Sequence, residues 1–276
     1  MGNMEMGSAV RWLLRHGHVR PGEVAILRLY GPITGGARSA DWVELVSRLR
    51  RNQRVPAVVL DVDSPGGSAP ASDYLYLALA RLAAVKPLVA HVRGTGASGA
   101  YLAALAARSI VVAPNAIVGS IGVISAGPRL AALLERIGVR VQETKAGSLK
   151  GLGAPWRDDS PEEAVKEREI VDAYYEAFVG RVAEGRRLHI GRARKLATGE
   201  VWLGSRAVEL GLADEVGDLD RAVEIAAAAA GVPPKATPVR SHRPLVARLA
   251  DRFATRLVER LSDAIEAELR GRGPRY

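Results

Sequence analysis

An α/β fold on a largely parallel sheet is what this 276-residue sequence predicts, on three observations. Short apolar runs begin 31–33 residues apart, helical patterns fill the intervals, and glycine-rich turns follow the runs. The runs are Val24–Tyr30, Ala57–Val62 and Leu88–Val92. They are continuous rather than alternating, as in strands covered on both faces. Between them, Asp41–Arg50 and Asp73–Val85 place apolar residues at three- and four-residue spacing, the pattern of helices lying on such a sheet. Shorter β-like pieces follow at Ile110–Val112, Ile117–Ile124 and Val139–Glu143. A helix starts at Ser160-Pro-Glu-Glu163, with a capping residue, a proline at the first helical position and acids in the first turn, and runs to about Glu184. Further helices are expected near Gly191–Ala197, Ser205–Leu210 and Leu219–Ala230, before a proline-rich linker. The chain thus divides into a basic N-terminal segment (1–21), a main domain (22–231), the linker (232–239) and a basic amphipathic helical tail (240–276).

Composition removes several function classes. Hydrophobic residues make up 48% and charged residues 25%, the balance of a globular chain rather than a disordered one. With no cysteine, a disulfide scaffold, a zinc–thiolate site and a thiol nucleophile are excluded. No window approaches eighteen consecutive apolar residues, and the apolar patch around Trp12 and Leu14 is too short for a signal peptide, so no membrane span is expected in this chain. Which side of a membrane it occupies stays open. The net charge of +9 gathers partly at the ends, where nine arginines face five acids in residues 240–276. Those ends carry few aromatic residues and no reading motif, which points away from nucleic acid. An anionic membrane surface or a partner subunit fits them better. From Leu245 the tail's large apolar residues fall at Leu249, Phe253, Leu257, Leu261, Ile265 and Leu269. A stride of four rotates about 40° per step, so the stripe winds around the helix rather than forming one flat face. That pattern favours docking along another subunit over lying on a bilayer.

Three glycine-rich turns could carry chemistry: Asp63-Ser-Pro-Gly-Gly-Ser68, Gly94-Thr-Gly-Ala-Ser-Gly-Ala-Tyr101 and Val118-Gly-Ser-Ile-Gly122. The first two follow strands at the end of a parallel sheet where ligands bind, and glycine leaves a backbone N–H open to a ligand oxygen. Ser98 would open a helix, where free N–H groups favour developing negative charge; it is either an ordinary cap or a nucleophile. A nucleophile needs a base, and none of the five histidines lies in these turns. Lysine can serve when neutral, whereas arginine cannot. Only six of the 39 basic residues are lysines, and Lys150 stands in a glycine-rich loop ahead of Ser160. It is either a solvated loop residue or that base.

With these positions in view, the sequence resembles the signal peptide peptidase A (protease IV) family of serine–lysine peptidases. The likeness spans roughly residues 22–230. It rests on Asp63-Ser-Pro-Gly-Gly67, Ala97-Ser-Gly-Ala-Tyr101, Gly119-Ser-Ile-Gly-Val123, Lys150 ahead of Ser160-Pro-Glu-Glu163, and Gly204-Ser-Arg-Ala207 leading to Leu210-Gly-Leu-Ala-Asp214. The resemblance implies a crotonase/Clp-protease-like superhelix of repeated β-β-α units. It implies Ser98 as nucleophile, Lys150 as general base, Ser120 as the residue orienting the amine, and the N–H groups of Gly67 and Gly99 as oxyanion hole. It implies further a homo-oligomer, no metal or other cofactor, and apolar peptide substrates such as cleaved signal peptides or membrane-protein fragments. To act near neutral pH, an amine base must fall roughly 3 units below the usual lysine pKa of about 10.4. Burial beside Leu149 and Leu152 is the expected means. The sequence departs from the family in lacking its common N-terminal membrane anchor, and in Ala100 where many members have glycine. Two other readings stand beside this one. Gly96-Ala-Ser98-Gly-Ala100 loosely matches the nucleophile elbow of an α/β-hydrolase esterase, which would draft Asp158 or Asp172 with His189 or His242. An inactive membrane-associated scaffold is the non-enzymatic alternative.

Overall fold

A computed structural model describes residues 19–239. The N-terminal segment before residue 19 and the tail from 240 onward, with the roles expected of them, lie outside the described residues. Among the described residues, eight strands form one sheet: β1 (Val24–Tyr30), β2 (Val58–Ser64), β3 (Leu88–Ala97), β4 (Ser109–Val112), β5 (Ile117–Gly119), β6 (Val201–Leu203), β7 (Glu215–Val216) and β8 (Ala236–Pro238). The main path runs β6-β5-β3-β2-β1-β8. Every pairing is parallel except β5 with β6. The expected α/β class with a largely parallel sheet is therefore the observed one.

The sheet forks at β3. Residues Val89–Val92 pair with β4, whereas Thr95–Ala97 pair with β5. β3 runs five residues beyond its apolar segment, through Arg93-Gly-Thr-Gly-Ala97, because Gly94 and Gly96 permit close packing there. A Cβ at Gly94 would lie 2.7 Å from Asp63 Oδ1, and one at Gly96 2.8 Å from a Val92 methyl. The extension delivers Ser98 to the upper edge of the sheet.

The crossovers are α1 (Ala37–Arg51), α2 (Ala69–Ala83) and α3 (Gly99–Ala104), and α4 (Ala131–Arg136) follows β5. Four helices come later: α5 (Pro161–Arg186), α6 (Ile190–Leu196), α7 (Gly204–Glu209) and α8 (Leu219–Ala230). One sheet face carries Leu27, Leu60, Val62 and Val92 into a core with α1, α2, α3 and the C-terminal half of α5. The other carries Ile26, Val59, Val89 and Val111 against α8. This double burial explains the continuous apolar runs. The long helix α5 begins with the capping box read from Ser160: Ser160 Oγ accepts from Glu163 N at 3.2 Å, and Ser160 N donates to Glu163 Oε2 at 2.9 Å.

Three expectations are corrected. Val139–Glu143 forms no strand: none of the strands among the described residues pairs with it, and Val139 and Val141 are exposed. The piece at Ile117–Ile124 pairs only through Gly119, beyond which Ser120 turns with φ +51°. The stretch expected as linker instead adds β8 to the sheet edge, paired with Val24–Ile26. Pro238 is tolerated because an edge strand needs partners on one side only.

Candidate active site

Ser98 occupies the turn from β3 into α3 with φ +51° and ψ −125°. A non-glycine residue there costs about 1–2 kcal/mol, and such strain gathers at functional sites. Its N–H donates to Gly119 O at 2.8 Å and its carbonyl accepts from Leu102 N at 3.0 Å, which hold the turn. The Ser98 hydroxyl makes no capping bond to α3. The ordinary reading of this serine, a helix cap, is therefore not realised.

The Gly66–Gly67 turn lies directly against Ser98. A Cβ on Gly66 would sit 2.6 Å from Gly99 N and 3.0 Å from Ser98 Cβ. Gly67 is wedged against Ile33, whose carbonyl a Cβ would meet at 2.1 Å. Ile33 N donates to Gly66 O at 2.8 Å and Ser68 N to Ile33 O at 2.9 Å, which lock the turn. Gly67 N is 3.6 Å from the position of a Cβ on Gly99. Neither Gly67 N–H nor Gly99 N–H has a hydrogen-bond acceptor among the described residues. Two adjacent unspent donors beside a serine hydroxyl are the geometry that stabilises an oxyanion.

These groups line a cavity of about 840 Å³, together with Ser120. Its walls are Leu102, Val123 and Ile124, with Tyr174, Tyr175, Ala177, Phe178 and Arg181 on one face of α5. Asp73 and Arg181 are the charged residues of the lining, paired with each other at 3.6 Å. Arg181 also lies over the Tyr76 ring, 4.2 Å from its centroid. Sequence reasoning missed Ser72, whose buried hydroxyl lacks a partner and packs 2.0 Å from where a Cβ on Gly99 would be.

Lys150 is not brought into this cavity. It is exposed, on a segment from residue 122 to 153 that is mostly exposed and has no buried residue in the single chain. The expected burial beside Leu149 and Leu152 is thus absent within one chain; both leucines are only half-buried. Among the described residues no histidine lines the cavity either. His189 caps α6, accepting from Gly191 N at 3.1 Å, and His91 is bonded to Asp61 at 2.9 Å beneath the sheet face that carries α8. His242 lies outside the described residues. No group of three or more His, Asp or Glu placed to hold a metal occurs among the described residues, and no helix among them is long and apolar enough to cross a membrane.

Comparison with known proteins follows the same residues. The model of peptidase family S49 matches residues 80–233, more than half of the chain. The chain belongs to peptidase family S49. Among its relatives, the chloroplastic serine protease SPPA of Arabidopsis thaliana is 36% identical over 226 residues, covering 80% of this chain and 33% of the plant protein. Protease 4 of Haemophilus influenzae is 32% identical over 217 residues, 76% of this chain and 35% of its own. A Synechocystis relative is 33% identical over 230 residues, 82% of either protein. The chain thus spans about a third of the length of the plant relative and of protease 4. A solved membrane-bound stomatin-specific protease covers 80% of this chain and 99% of its own, with TM-score 0.51 and 14% identity, a likeness of fold. The expected α/β fold with a largely parallel sheet is thus shared with that protease. The S49 membership supports a serine peptidase, and the cavity holding Ser98 is its candidate catalytic centre.

Proposed function

We propose that this S49 member is a serine endopeptidase whose nucleophile is Ser98 and whose general base is Lys150, acting on apolar peptides such as cleaved signal peptides or membrane-protein fragments. The observation that carries the reading is the free Ser98 hydroxyl beside two unspent backbone donors, Gly67 N–H and Gly99 N–H. Ser98 Oγ attacks the scissile carbonyl as its proton passes to the neutral Lys150 amine, which Ser120 orients. The carbonyl oxygen becomes an oxyanion held by Gly67 and Gly99, a donor pair in which one member is worth about 10²–10³ in rate. The C–N bond then breaks as Lys150 returns the proton to the leaving amine. Water, deprotonated by the same lysine, hydrolyses the acyl-enzyme. Leu102, Val123, Ile124 and Phe178 give the cavity walls that suit apolar side chains.

Because Lys150 is exposed and outside the cavity of its own chain, the reading includes a homo-oligomer in which Lys150 of the partner subunit meets Ser98. The exposed Ile124, Leu133, Ile137, Val139 and Val141 on the same segment support burial against another copy. Peptide cleavage by Ser98→Ala, Lys150→Ala and Lys150→Arg proteins tests the dyad. All three are expected to be folded and inactive, since arginine keeps the charge without acting as a base. Substantial turnover by Lys150→Arg would sink the assignment.

A further inference from the structure

The loop that carries Lys150 is held by one guanidinium. Arg157 donates from Nη1 to Glu163 Oε2 and from Nη2 to Glu163 Oε1, both at 2.7 Å. Its Nε donates to Glu143 Oε2 at 3.3 Å, and Nη1 to Asp158 O at 3.0 Å. The remaining bond reaches the carbonyl of the residue that follows Lys150: Nη2 donates to Gly151 O at 3.1 Å. A Cβ at residue 151 would lie 2.3 Å from that Nη2 and 3.0 Å from Glu143 Oε1. A side chain there would displace the guanidinium rather than strain the backbone, since the φ of Gly151 is not in the left-handed region.

The two carboxylates are themselves fixed. Glu163 is fully enclosed, closes the capping box of α5, and lies 3.7 Å from Lys145 Nζ. Arg157 and the Ser160 amide lower its pKa to about 2, so it stays ionised through the working range. Glu143 also accepts from Trp156 Nε1 at 3.0 Å and pairs with Lys145 at 3.3 Å. The segment from 122 to 153 buries no side chain of its own, so its shape near Lys150 comes from these bonds rather than from a core. Bidentate arginine–carboxylate pairs supply both strength and fixed geometry.

We infer that Arg157 is a positioning residue for Lys150: bonded to the Gly151 carbonyl and clamped by Glu143 and Glu163, it presents the amine at a fixed place. The inference rests on the Ser98–Lys150 reading. Two variants approach the same contact from opposite sides. Arg157→Lys keeps the charge and loses the fork, and Gly151→Ala puts a methyl where the guanidinium sits. The charged groups around the loop, Glu143, Lys145, Asp158, Glu162 and Glu163, stay in both. With oligomer size checked by light scattering, kcat is expected to fall on the order of 10²-fold at unchanged KM, the cost of misplacing a reacting group by about 1 Å. The fall is expected to remain when kcat is expressed per Ser98 labelled at saturation by a fluorophosphonate probe, because the nucleophile stays in place and only the amine is misplaced. A merely structural role would lower the labelled fraction and leave kcat per labelled serine unchanged. That result, or parental kinetics, overturns the inference. Lys150→Ala, measured alongside, separates the two claims. If it is active, the dyad and the positioning role fall together. If it is inactive while both variants keep the parental kinetics, only the positioning role falls.

Discussion

Asp61→Asn is the substitution whose consequence follows most directly from the structure. Asp61 is fully buried on β2 and accepts from Arg93 Nη2 at 2.8 Å, from Arg93 Nε at 3.2 Å and from Tyr30 OH, while His91 Nδ1 lies 2.9 Å away. Burial alone would raise its pKa; the bonds from His91, Arg93 and Tyr30 outweigh it and bring the value down from 3.8 to about 2. Asparagine removes the charge these donors hold. At 1.36 kcal/mol per unit, the lowered pKa corresponds to about 2 kcal/mol of stability at neutral pH. For a domain of this size that is a fall of roughly 4–8 °C in Tm. Because the folded value lies below the unfolded one, the stabilisation is complete above about pH 4 and is lost as pH falls toward 2. Urea unfolding followed by circular dichroism at pH 7, 5, 4 and 3 reads the difference between parent and variant. The account expects a constant gap from pH 7 to 5 that narrows by pH 3. A gap that persists undiminished at pH 3, or none at pH 7, would refute the argument that ionised Asp61 ties β1, β2 and β3 together below the glycine-rich turns.

Peptidase activity is expected to be indifferent to EDTA; loss on chelation, reversed by adding metal, would reveal a site that the residues around Ser98 do not suggest. Deleting residues 240–276 is expected to give a smaller oligomer by light scattering with liposome binding little changed. An unchanged oligomer that no longer sediments with anionic liposomes would make the tail a membrane anchor instead.

The apolar runs were legible because both sheet faces are covered, so Val24–Tyr30 reads as a strand and is one. The far half of β3 was not, because Gly94 and Gly96 read as turn residues when their role is to let Asp63 and Val92 pack closely. Val139–Glu143 has the alternation of a strand but pairs with no strand among the described residues. Lysine scarcity was a partial signal. It singled out Lys150, yet Lys86 is also rare and does structural work, donating to the carbonyls of Leu49 and Val55 at 2.8 Å, and to that of Asn52, at the end of α1. Ser98, Gly67 and Gly99 could be brought together from the order of strands and turns, since the ends of adjacent parallel strands must meet. The contact of Arg157 with Gly151 was invisible, because a glycine six residues before an arginine carries no pattern until the loop is folded back on itself.

Subunit exchange between two inactive proteins tests the central claim most directly. Ser98→Ala retains Lys150 and Lys150→Ala retains Ser98, so an oligomer assembled from both contains intact pairs only where the two residues come from different chains. If Lys150 of the partner subunit serves Ser98, the mixture cleaves peptide although neither parent does. No activity in the mixture, with exchange verified by differential labelling of the two chains, would contradict a site shared between subunits.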